Sequence, residues 1–231
     1  MDNSTILSAL KKQRDDCYQT LISKTISAQY EELYNGFKDG SYLFYNFDED
    51  KLNEELERLK NDKSYDLLYS ERLVAYESLN NTELIKYFKT EFEKIFKAIH
   101  LSGKTDEIQA IFIEYDYYYH YKSSFTCYGK QLYPCVLEPR YISQEYDYNK
   151  QILFLNGINF EPAWLTCDGF ENLEFLEIFI ERLFLLHSRV LLNKALNELD
   201  SENKLDFITN KPFSFYINEH DCEVMTLYWK I

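Results

Sequence analysis

Glu114, Asp116, Tyr118 and His120 sit on even positions of one short stretch, IFIEYDYYYHYKSSF, residues 111–125. On an extended strand successive side chains alternate between faces, so these four would share one face at a spacing of about 7 Å. Two carboxylates and an imidazole in that arrangement could hold a divalent cation or divide the acid and base roles of a hydrolysis. That is the enzymatic reading of this chain: a metal-dependent hydrolase using Glu114, Asp116 and His120. The odd positions of the same stretch are Ile111, Ile113, Tyr115, Tyr117, Tyr119, Tyr121, Ser123 and Phe125. One face is apolar and aromatic and the other carries every charge. A half-buried antiparallel strand produces that alternation with no chemistry at all. No second cluster elsewhere supplies further ligands, so neither a metal nor another cofactor is expected.

The remaining histidines are weaker candidates. His187 falls among Leu183, Val190 and Leu191 on the apolar side of a long helix, where a hydrogen-bonded core histidine is the ordinary outcome. His220, Asp221 and Cys222 are consecutive, and neighbouring side chains diverge too far to form a triad. His100 closes a helix, where a cation suits the dipole. No GxSxG, HExxH, GxGxxG or phosphate-binding glycine loop occurs among the 6 glycines.

The elements that must position these residues follow from periodicity. Ile6, Leu7, Leu10, Cys17, Leu21 and Ala28 recur at helical spacings. Residues 42–47 read as a short strand. Leu52, Leu56 and Leu59 mark one helix, and Leu67, Leu68, Leu73 and Val74 another. Asn81-Thr82-Glu83 opens a stronger helix whose stripe runs from Leu84 to Ile99, with Gly103 just past its end. Residues 109–160 have strand composition. A long helix is predicted over 168–199, opened by the capping pattern from Asp168 to Glu171. Residues 212–218 and 224–230 form a closing hairpin. The expected fold is a single α+β domain over 1–231, mostly helical to 103. A mainly antiparallel, Tyr-rich sheet with the long helix packed on it follows.

Charge narrows the partners. The 231 residues carry 25 Lys and Arg against 39 Asp and Glu, a net charge of −14. A nucleic-acid backbone or an anionic membrane would be repelled, and a basic protein would be attracted. Five cysteines without a CxxC pair argue against a zinc ribbon. With no signal-peptide pattern at the start and no long apolar run, the expectation is a cytoplasmic protein with reduced thiols. On the long helix, Glu171, Glu174, Glu177 and Glu181 gather opposite the apolar stripe at 100° per residue. Glu177 and Glu181 lie beyond the reach of the helix N-terminus and repel each other mildly. The face is either solvated surface or an acidic ridge for a basic partner. Glu174, Glu177 and Glu181 would then steer that partner, and Tyr118 and Trp164 would anchor it.

The run LLNKALNELDSENKLDFITNKPFSFYIN, residues 191–218, is similar to the ending of some α+β immunity-type families: a long helix, an LxxLD-like close and a short strand. YLFYNF after an N-terminal helix suits the same layout. In these segments, its acidity and its lack of a catalytic motif, the chain resembles bacterial immunity proteins, cytoplasmic inhibitors of polymorphic or contact-dependent toxins. The resemblance implies inhibition by direct binding of a cognate toxin domain, without chemistry, and carries no residue-level site.

Overall fold

The strong local signals become helices in a computed structural model. It describes residues 2–38, 49–115, 122–129, 135–138, 151–163, 174–208, 212–219 and 224–230. Among the described residues six α-helices are α1 (Asn3–Ser23), α2 (Ile26–Lys38), α3 (Glu49–Asn61), α4 (Ser64–Glu77), α5 (Asn81–Leu101) and α6 (Glu174–Ser201). The first apolar run is two helices, not one: Thr25 Oγ1 accepts from Ala28 N and restarts the chain as α2. Asn80, one residue before the expected start, caps α5 by accepting from Glu83 N. Gly103 follows α5 at φ +70°, the left-handed conformation that favours glycine. After α6, Asn203 takes that conformation at φ 59° and Lys204 N donates back to Leu199 O. Residues 42–47 and the Asp168–Glu171 cap lie outside the described residues.

Five strands among the described residues, β1 (Ala110–Tyr115), β2 (Lys122–Tyr128), β3 (Gln151–Asn159), β4 (Phe213–Glu219) and β5 (Val224–Lys230), form one sheet in the order β3-β2-β1-β4-β5. Three pairings are antiparallel, and β1–β4 is parallel, so the sheet is mixed. The fold is α+β and closes on the expected C-terminal hairpin. Residues 111–125, however, are not one strand. Ile113 pairs with Phe125 and Tyr115 with Ser123 across a chain reversal. Apolar–polar alternation survives on both arms, which is why the sequence reads as continuous.

The chain groups into two compact units. The first comprises Met1–Gln13, Asn80–Ala163 and Leu186–Ile231 and contains the sheet. There α5 lays Phe92 edge-on against Phe125 and Phe215, at centroid distances of 6.0 and 5.9 Å, and stacks it with Phe96 at 5.7 Å. On the other side of the sheet Phe112 stacks on Tyr216 at 4.9 Å and meets Tyr128 at 5.4 Å. The β5 edge is occupied by side-chain amides and a loop. Asn3 exchanges both hydrogen bonds with the Trp229 backbone, Asn193 donates to Leu227 O, and Val136 O accepts from Thr226 N. Gly157 sits where a Cβ would lie 2.2 Å from Ser123 Oγ, so β2 and β3 can approach here only at a glycine.

The second unit comprises Arg14–Leu79 and Trp164–Leu185. Buried hydroxyls knit its helices together. Tyr30 donates to Glu55 Oε2 at 2.9 Å, Gln29 donates to Tyr69 at 2.8 Å, and Tyr69 reaches Leu21 O. Tyr76 meets Tyr18 at 5.6 Å and the edge of Phe184 at 5.5 Å.

Candidate functional site

Of the residues singled out for hydrolysis, only Glu114 is among the described residues. Glu114 is half-buried near the end of β1 and accepts a hydrogen bond from Asn218 Nδ2 at 3.2 Å. Asp116, Tyr118 and His120 fall between β1 and β2, outside the described residues. Among the described residues no group of three or more His, Cys, Asp or Glu is arranged to hold a metal ion. His187 is buried, with Nε2 2.7 Å from Asn81 Oδ1, the hydrogen-bonded core histidine expected of it.

Of the acids assigned to one face of the long helix, only Glu181 has a described side chain. Glu174 and Glu177 belong to α6, though their side chains are outside the described residues, as is Trp164. Glu181 is only 5 % exposed. This corrects the reading of a solvated ridge at that position. From Leu183 to Asn193 every residue of α6 is buried, so the helix is enclosed on all sides rather than on one stripe.

Acidity is concentrated in one unit. The helical unit Arg14–Leu79 with Trp164–Leu185 contains 9 Lys and Arg against 20 Asp and Glu, a net −11. The sheet-bearing unit contains 16 against 19, a net −3. Asp50, Glu54, Glu57, Asp62, Glu71 and Glu77 are exposed on α3, α4 and the turn between them. The same unit exposes large apolar side chains. Leu67 and Val74, each 63 % exposed, share one face of α4 with Glu71, while Tyr69 and Tyr76 turn the opposite face inward. Periodicity detected this helix but not its outward apolar face. Leu67, Leu68, Leu73 and Val74 surround the axis, and only packing decides which of them is covered.

Two tyrosines in this unit, the buried Tyr69 and the half-buried Tyr76, set an alkaline limit. Burial pushes Tyr69 and Tyr76 from 10.0 up to about 12, because the phenolate loses its hydration. A pKa raised by folding contributes stability that is complete below pH 10 and lost between about 10 and 12. Chemical denaturation followed from pH 9 to 11.5 is expected to give a falling stability whose slope flattens in Tyr69→Phe and Tyr76→Phe. Identical slopes in wild type and both variants would show that these hydroxyls are not held in a dry site. Burial also raises the Cys127 thiol to about 12, and Cys17, Cys127 and Cys135 are free. Cys167 and Cys222 lie outside the described residues.

No described helix is long and apolar enough to cross a membrane. Comparison of the chain with protein-family models, with curated proteins and with solved structures returned no match.

Proposed function

We propose that this chain is a non-catalytic cytoplasmic binding protein that neutralises a basic protein, in the manner of an immunity protein masking a toxin domain. The observation carrying this reading is the partition of charge: the helical unit holds −11 of the net −14. Self-repulsion of that size in one unit works against its compaction and is compensated when a cationic surface docks. Exposed Leu67 and Val74 beside Glu71 supply the apolar contact that slows dissociation, while the surrounding acids accelerate encounter.

The test begins with the cognate toxin domain, sought as the product of a neighbouring gene and produced in catalytically inactive form. Association is then measured from low to high salt. Glu54→Lys with Glu71→Lys is expected to slow association roughly tenfold at low ionic strength and progressively less as salt rises. Leu67→Ala with Val74→Ala is expected to raise the dissociation rate instead. Equal association rates for wild type and the charge-reversed variant at low salt would remove the acidic unit from the interface.

A further inference from the structure

The two edges of the sheet are finished differently. Asn3, Asn193 and Val136 take up backbone groups of β5. On β3, at the other edge, only the ends are met. Lys104 Nζ donates to Ile152 O at 3.0 Å, and the Tyr87 hydroxyl donates to Asn159 O at 2.8 Å. Between these caps the register sets the direction of each backbone group. Ser214 N donates to Gln109 O, so the odd-numbered residues of β1 serve β4 and the even-numbered ones serve β2. Phe112 is paired with Thr126, so Phe125 and Cys127 turn towards β3, where they meet Leu155 and Leu153. By the same alternation Phe154 and Asn156 turn their N–H and C=O groups outward. Neither backbone has a further hydrogen-bond partner among the described residues. Both side chains are exposed, Phe154 at 56 %.

An edge with unpaired backbone groups is a template for another strand, and charge or proline on the edge is what blunts it. The strand itself, QILFLNGIN, has neither. Its open window is also symmetric. Phe154 and Asn156 flank Leu155, the middle residue of β3, and a window with that symmetry is its own complement in an antiparallel pair. A second β3 laid against the first about a two-fold axis at Leu155 sets each Phe154 opposite an Asn156. The two residues exchange both of their backbone bonds at each place, and the Lys104 and Tyr87 caps stay where they are. The two Phe154 rings come onto one face along the diagonal, within reach of each other. Because the β5 edge is occupied, the pairing consumes the open edge and stops at two copies. Charge favours this edge as well, since the sheet-bearing unit carries −3 against −11 in the helical unit.

We propose that the outer edge of β3 is the interface of a homodimer, in which two copies of this chain join their sheets through Phe154 and Asn156. A seam of this size buries little surface, so the association depends on protein concentration. It goes beyond the acidic surface assigned above to a protein partner and does not rest on it.

Sedimentation equilibrium of the full chain tests it, over a range of protein concentrations in low and high sodium chloride. Wild type is expected to pass from monomer to dimer as concentration rises, and more readily at high salt, because salt screens the repulsion between two chains of net charge −14. Asn156→Pro removes an outward N–H that β2 does not use, and Phe154→Lys puts a charge on the edge. Each is expected to raise the half-dimerisation concentration roughly tenfold or more, with the circular dichroism of the monomer unchanged. Leu67→Ala with Val74→Ala is expected to leave the dimer as it is. Hydrogen exchange of wild type decides if neither edge variant folds: the Phe154 and Asn156 amides should exchange more slowly in concentrated than in dilute protein. A wild type that stays monomeric up to about 0.1 mM at high salt overturns the proposal. So does a dimer that both edge variants leave unchanged, one lost only with Leu67 and Val74, or an assembly that grows beyond two copies.

Discussion

Glu181→Lys is expected to unfold the helical unit under conditions where wild type is intact. The side chain is only 5 % exposed, and any donor it engages is matched to a carboxylate. An ammonium in its place is repelled by those donors and stripped of water. Breaking a buried charged arrangement in this way costs about 3–5 kcal/mol, a large share of the stability of an ordinary domain. Glu181→Gln retains shape and removes only the charge, and should cost roughly 1–2 kcal/mol, the range for an altered buried hydrogen bond. The measurement is urea denaturation followed by circular dichroism. A loss under about 1 kcal/mol for the lysine variant would place Glu181 at the surface, restoring it to the exposed acidic ridge.

Phe92→Ala should be the most damaging single truncation in the sheet-bearing unit. Phe92 is fully buried, and its ring meets Phe96, Phe125 and Phe215, so it links α5 to both the β1–β2 and the β4 parts of the sheet. Truncating a buried phenylalanine costs about 3–5 kcal/mol, from lost burial plus the cavity left behind. Phe154→Ala is the control. The same residue type on edge strand β3 is 56 % exposed, and its loss should fall within about 0.5 kcal/mol. Comparable losses from the two substitutions would mean that α5 does not cover this face of the sheet.

Both predictions turn on burial, and burial is where reading the sequence stops short. The helix α5 was legible almost to the residue. Its apolar stripe, an asparagine cap and Gly103 all act within four residues of the backbone groups they satisfy, and such signals are written locally. The hairpin β4–β5 was legible for the same reason. The reversal between β1 and β2 was not. Residues 116–121 contain no glycine, proline or asparagine to mark a turn, and their alternation continues that of the arms on either side.

Glu181 shows the limit most plainly. A helical wheel gives its direction but not what lies there, and here Glu181 is buried while its neighbour Arg182 is exposed. Arg189 was passed over because a lone arginine in LFLLHSRVLL has no local sign of being enclosed. Its setting depends on Tyr115, 74 residues away, and on Met225, 36 residues away. The parallel register that sets Ala110 beside Ser214 likewise joins segments about a hundred residues apart. By itself the sequence determined the helices, the strand-rich centre, the acidic balance and the α+β class. These follow from propensity, periodicity and composition, which neighbouring residues express on their own. Only the tertiary structure decided the strand order, the acid buried on α6, the partition of charge between the units and the burial of Arg189 against Tyr115 and Met225. Each of those depends on which distant segment excludes water from a given side chain, and no local pattern carries that information.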